Sequence, residues 1–178
     1  MDDLREQEME IFRLRDRILE EAGKRSITLR LMGGVAIRTH CPRYKHIHYK
    51  FGRKLPDIDF VGYLRQVIEI QRLFLDLGFK EDENVMRLFG TRIRIFDLPQ
   101  LGVHCDVVLD KLYFCHNIDL RERLELDYPT ITLADLLLSK LQIIELNEKD
   151  ILDAIILLLE HEIGDGDDDE TINIRYIS

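Results

Sequence analysis

The sequence predicts an α+β (α/β) fold: a short mixed sheet, helices behind it, and a C-terminal helical pair that closes a cleft. Three observations predict it. Strand-length runs, apolar or alternating, occur at 27–32, 57–61, 92–96 and 103–109. Amphipathic stretches of helical length lie at 4–22, 64–77, 133–146 and 149–160. Glycines mark the joints, at Gly23, Gly33-Gly34 and Gly78.

Each element has its own reason. In 4–22, Leu4, Ile11, Phe12, Leu14, Ile18 and Leu19 supply an apolar stripe, and Gly23 is the expected stop. Residues 27–32 alternate and end in Gly33-Gly34, from which a short helix is expected over 35–40. Between Gly34 and Pro56 no acidic residue occurs. Arg38, Arg43, Lys45, Lys50, Arg53 and Lys54 do, interleaved with Tyr44, Tyr49 and Phe51. In an acidic chain this is a positive island, read here as an anion-binding loop. Residues 57–61 form the next strand, and 64–77 a helix closed by Gly78. The runs 92–96 and 103–109 are expected to pair as a hairpin. Two apolar helices, 133–146 and 149–160, join near Asn147, and 164–170 reads as a solvated acidic linker leading away from the core. The glycine and glutamate positions of a calcium loop are not matched there. The expected organisation is a core over 1–128, a helical segment over 129–163 that closes the cleft, and a linker and tail over 164–178.

Length and composition exclude several classes. A chain of 178 residues suits one domain with a small helical appendage. Its net charge of −9 argues against a general nucleic-acid coat. Cys41, Cys105 and Cys115 are odd in number and lack CxxC spacing, so reduced thiols are expected rather than a disulfide framework. Their neighbours His40, His104 and His116 do not give ordinary structural-zinc spacing. The acidic, amphipathic N-terminal segment does not read as a signal peptide, and no apolar run approaches the ~20 residues of a membrane span. The expected compartment is the cytoplasm. The abrupt end at Ser178 reads as a chain with a further element beyond it.

The chemistry resides in three aspartates. Asp57 and Asp59 stand at i and i+2 of a strand, so they share a face while Ile58 and Phe60 take the other. Two like charges on one face, roughly 7 Å apart along the backbone, call for a cation. Asp106, flanked by Cys105 and Val107, would be costly to bury unpaired. Asp97, Asp110, Asp119 and Asp127, by contrast, read as caps or turn residues. Hard oxygen donors such as these suit Mg2+, with Mn2+ as its substitute, and two ions would bridge an attacking hydroxyl and an α-phosphate. Asp106 would stand nearer the attacking oxygen and help take its proton. The Gly33-Gly34 turn lets backbone N–H groups approach a phosphate, and Arg53 or Lys54 would clamp the triphosphate. A dinucleotide-binding oxidoreductase is disfavoured, because GxGxxG is absent.

The order Gly33-Gly34, Asp57-Ile58-Asp59, Asp106 resembles the nucleotidyltransferase superfamily that includes DNA polymerase beta, kanamycin nucleotidyltransferase and the minimal nucleotidyltransferases. Pro129-Thr130-Ile131, the run from Leu133 through Lys140 to Gln142, and Lys149-Asp150-Ile151-Leu152-Asp153 resemble the abortive-infection-type nucleotidyltransferases of toxin–antitoxin systems. The resemblance covers about residues 27–160, with a longer gap from Gly34 to Asp57 than the compact motif has. It implies a nucleotidyltransferase-like mixed sheet and Mg2+-dependent transfer of NMP from an NTP, such as ATP, with pyrophosphate release. The implied acceptor is a hydroxyl on an RNA end (tRNA), a protein or a small molecule, and the implied partner is an antitoxin. It places Asp57, Asp59 and Asp106 as catalytic metal ligands, and Gly33, Gly34, Lys140 and Asp150 at the nucleotide, with Lys140 toward the triphosphate. Asp153 reads as a polar-face helix residue or a helix partner of the site, not a metal ligand. The alternative is a catalytically inactive nucleotide-binding or interaction module that keeps the fold.

Overall fold

The computed structural model describes residues 2–143, 145, 147–168 and 170–178. Helix α1 (Asp2–Lys24) leads into strand β1 (Leu29–Met32), helix α2 (Gly33–His40) and helix α3 (Lys45–Lys50). Strand β2 (Asp57–Gly62) is followed by a 3₁₀ turn at Leu64–Gln66, α4 (Val67–Asp76), β3 (Lys80–Glu81) and α5 (Glu83–Phe89). Next come β4 (Ile93–Leu98), β5 (Val103–Leu109), and the small hairpin of β6 (Lys111–Tyr113) and β7 (Asn117–Asp119). The chain ends with α6 (Leu133–Leu141), α7 (Glu148–Glu160), β8 (Glu162–Gly164), β9 (Thr171–Asn173) and α8 (Ile174–Ile177).

Five strands form one mixed sheet in the order β1-β2-β5-β4-β3. Only β2 and β5 are parallel; the other pairings are antiparallel. Beyond β1, the segment after the cis peptide Tyr128-Pro129 adds a parallel bridge between Leu31 and Thr130. Strand alternation sorts the side chains. Leu31, Ile58, Phe60, Cys105, Val107 and Phe96 are wholly buried on one face. Helix α4 covers that face: Phe74 stacks on Phe96 at 4.3 Å and meets Phe60 edge-on at 6.1 Å. The other face carries Asp57, Asp59, Val61, His104, Asp106 and Val108. Helix α2 packs against β2 and also contacts α6 and α7, so the C-terminal helices reach the aspartate-bearing strand through it.

The sequence-based expectations hold for the main strands and helices and shift at their ends. Helix α1 runs through Gly23 to Lys24, because an interior glycine costs only about 1 kcal/mol and a long apolar stripe outweighs it. The stretch 64–77 divides into a 3₁₀ turn and α4, which Gly78 does terminate with a φ of +93°. Helix α6 ends at Leu141; positions 144 and 146 of the expected helix lie outside the described residues. Helix α7 starts at Glu148, because the Asn147 side chain accepts from the N–H groups of Lys149 and Asp150.

The acidic segment does not lead away from the core. β8 and β9 pair in parallel, Ile172 is buried, and β9 packs against α6. Its charge has a structural partner. The Asp167 carboxylate accepts from Arg123 at 2.8 Å, while Arg123 also donates to Asp135 at 2.8 Å and lies 3.5 Å over the Tyr176 ring. The strands β3 and β6 to β9, at two or three residues each, are too short to leave a periodic signal.

Candidate active site

The site is built where β1 turns into α2 against the start of β2. Met32 is the register partner of Asp59, and the chain then bends at Gly33 with a φ of +67°. A Cβ on Gly33 would lie 2.0 Å from Asp59 Oδ2, and one on Gly34 would lie 2.7 Å from Arg53 Nη2. Both glycines therefore have the same cause: an acidic and a basic side chain press against the backbone where any other residue would clash.

Across the parallel β2–β5 pair, Asp59 stands directly opposite Asp106, and Asp57 opposite His104. All three aspartates thus share one face of two neighbouring strands. Their electrostatics follow. Burial pushes the Asp59 carboxyl up to about 7, Asp57 and Asp106 add to the rise, and Lys140 and Arg53 oppose it. Asp106 is also raised, first by burial and then by Asp57, with His104 opposing. Asp97 adds a further upward push, although its own carboxylate is paired with His104.

Opposite the trio lies a cluster of buried charge. Lys140 Nζ donates to Asp150 Oδ1 at 2.9 Å and pairs with Asp153 Oδ2 at 3.1 Å. Arg53 Nη2 donates to the same Asp153 oxygen at 3.1 Å, and His48 Nε2 lies 2.9 Å from Asp153 Oδ1. Burial disfavours the charge on both Lys140 and Asp153. The ion pairs win: Lys140 is held above its ordinary range and Asp153 below its own. Burial likewise keeps His48 below its ordinary value, against the pull of Asp153.

A cavity of about 180 Å³ joins the two halves; Gly33, Asp59, Asp106, Ser139 and Lys140 line it. Its remaining wall is apolar, with Ile93, Val108, Ile143 and an exposed Phe114.

The structure therefore gathers Gly33, Gly34, Arg53, Asp57, Asp59, Asp106, Lys140 and Asp150 into one neighbourhood. Lys54 is not part of it: the side chain is exposed, and only its carbonyl is engaged, by Arg53. The positive island is mostly neutralised internally. Arg38 and Lys45 pair with Glu8 of α1, Tyr49 donates to Glu8 at 2.8 Å, Arg43 pairs with Glu160 of α7, and Arg53 with Asp153. Its reading as one anion-binding loop is narrowed accordingly, with Arg53 the member that stands beside Gly34 and acts on Asp59. An island without acids in sequence is met by acids folded in from distant helices. His48 and the apolar wall are the site residues that sequence reasoning misses. The signal for His48 is its separation of 105 residues from its partner, which no local pattern reports.

The donor chemistry of Asp57, Asp59 and Asp106 fits a hard divalent cation in type and in face. Among the described residues, no three His, Cys, Asp or Glu side chains converge as a ready-made metal site.

No family model matches the chain, and no curated protein does. Two solved structures share the fold, and that fold is nucleotidyltransferase-like. Both are of the antibiotic-resistance factor ANT(2'')-Ia. Its solution structure superposes with a TM-score of 0.58 at 13% identity, covering 85% of this chain and 84% of that one. Its crystal structure with adenylyl-2''-tobramycin gives 0.51 at 14% identity, covering 82% and 86%.

Proposed function

We propose that the protein transfers a nucleoside monophosphate from an NTP to a hydroxyl acceptor, dependent on Mg2+ and with release of pyrophosphate. The observation that carries this reading is the register of Asp59 and Asp106 on adjacent parallel strands, set against the Gly33 turn with Lys140 in the same cavity. Asp57, Asp59 and Asp106 would hold the divalent cation, which when bound supplies charge neutralisation at the reacting phosphate. The N–H groups at the start of α2 face negative charge, as helix N-termini do. Lys140 and Arg53 orient the triphosphate, and Asp150 keeps Lys140 aimed into the cavity. Asp106 lies beside the apolar wall of Ile93, Val108 and Phe114 and would accept the proton of an acceptor hydroxyl entering there.

The structure of ANT(2'')-Ia with an adenylylated tobramycin supports a small-molecule acceptor. Here the wall of Ile93, Val108, Ile143 and Phe114 favours one with an apolar or aromatic face over a polycation. RNA ends and protein hydroxyls are the other acceptors of this reading, the cytoplasm its compartment, and an antitoxin its regulatory partner. No described helix is long and apolar enough to cross a membrane.

The test is incubation with each α-labelled NTP, Mg2+ and an acceptor panel of aminoglycosides, apolar alcohols, total RNA and cellular protein. Label should move to one acceptor class and fail to move with Asp57→Ala or Asp59→Ala. Binding of NTP without any transfer would instead favour an inactive nucleotide-binding module.

A further inference from the structure

Lys140 lines the carboxylate cavity, Arg53 presses against Gly34 next to the Gly33 turn, and one buried carboxylate holds both. Lys140 Nζ and Arg53 Nη2 each lie 3.1 Å from Asp153 Oδ2. The other oxygen, Oδ1, is fixed by His48 Nε2 at 2.9 Å. The anchor of the assembly is sealed from solvent and its cations less so: the Asp153 and His48 side chains are each 1% exposed, that of Arg53 9% and that of Lys140 10%. Without Asp153 the two like charges would repel and move toward water. With it, Arg53 is pinned where a Cβ on Gly34 would clash, and Lys140 is held in the wall of the cavity that Asp59 and Asp106 also line. Arg53 Nε is buried with no hydrogen-bond partner, so the guanidinium stays in place without its full set of bonds. Such a placement fits a group held ready for a ligand rather than one satisfied by its own fold.

We propose that Asp153 is the positioning residue for the triphosphate: without touching the nucleotide, it holds Arg53 and Lys140 side by side at their working positions. The inference rests on the nucleotidyl-transfer reading above. It adds a division of labour within α7, in which Asp150 steadies Lys140 alone and Asp153 couples both cations to α3 through His48. A merely structural pin would affect every ligand of the site equally. A positioning role is selective for the β- and γ-phosphates.

Calorimetry with Mg·ATP and with AMP separates the two. The unaltered protein should bind ATP more tightly than AMP. Asp153→Asn should weaken ATP by about tenfold, the scale of a buried charge-assisted contact, while AMP stays within twofold, so the preference collapses. An ATP-to-AMP preference unchanged by Asp153→Asn, or equal weakening of both ligands, would overturn the assignment. Absence of binding by the unaltered protein would remove the functional reading itself, a distinct outcome that takes this inference with it. Should Asp153→Asn fail to fold, His48→Gln makes the same comparison. It leaves the carboxylate charged but loosens one oxygen, and should give a smaller selective loss; no change in the preference there would count equally against the proposal.

Discussion

Replacing Asp59 by Asn should stabilise the protein above neutral pH in the absence of divalent ions. Burial, together with Asp57 and Asp106, pushes this carboxyl up to about 7 in the folded chain. In the unfolded chain it titrates near the ordinary value of about 3.9. The folded-state value is raised, so the favourable contribution is fully present below about pH 4, falls as pH rises toward 7, and is gone above it. Each pH unit of that interval is worth about 1.36 kcal/mol, which gives an upper bound on the order of 4 kcal/mol for the charged form at pH 8. Relaxation around the site lowers this, and a gain of about 2–3 kcal/mol is expected. At roughly 2–4 °C per kcal/mol for a chain of this size, the melting temperature should rise by at least ~4 °C. The assay is thermal denaturation of both proteins at pH 5 and pH 8 in chelator, then at pH 8 with Mg2+. The gap should be widest at pH 8, shrink at pH 5, and close from the other side when Mg2+ stabilises the unaltered protein but not the variant. Equal melting temperatures at pH 8, or a gap that does not depend on pH, would refute the claim that burial, reinforced by Asp57 and Asp106, disfavours the charged form of Asp59.

Three further outcomes follow from the geometry. Gly33→Ala places a methyl 2.0 Å from Asp59 Oδ2 at a φ of +67°, and should cost several kcal/mol or force Asp59 aside; Gly52→Ala, at +65° with nothing within 4 Å, should cost only about 1 kcal/mol, as urea unfolding would report. Glu8→Ala leaves Arg38 buried without its carboxylate and should destabilise the chain by about 3–5 kcal/mol in the same assay, although Glu8 pairs with the neutralised island and not with the aspartate trio. Lys140→Ala should weaken NTP binding at least tenfold by calorimetry, whereas Lys54→Ala, with its exposed side chain, should change it less than twofold.

Much of this architecture was legible in the sequence because the site strands carry strong patterns. Asp57, Asp59 and Asp106 alternate with Ile58, Phe60, Cys105 and Val107, and a period of two fixes which side chains share a face. Gly33 and Gly34 were legible as a turn; their cause was not, since contact with Asp59 and Arg53 requires the β1–β2 register and the return of the basic segment. The internal neutralisation of most of the island was not legible for a related reason. Its acidic partners, Glu8, Asp153 and Glu160, lie 30 to 117 residues away along the chain. Asp153 itself sits three residues after Asp150 on one helical face, a spacing visible in sequence. Its role as the meeting point of His48, Arg53 and Lys140 exists only in the folded chain. The acidic stretch near the C-terminus misled in the opposite sense: its charge looked solvated, yet Asp167 is held by Arg123 and Asn173.

The measurement that bears most directly on the central claim is release of labelled pyrophosphate from γ-labelled NTP in the presence of acceptor, by the unaltered protein and by Asp106→Asn. Release that requires Mg2+, stops with chelator and disappears in the variant is the expected result. Release undiminished by Asp106→Asn, or none from the unaltered protein with any of the four NTPs, would contradict a shared role for the facing carboxylates of β2 and β5.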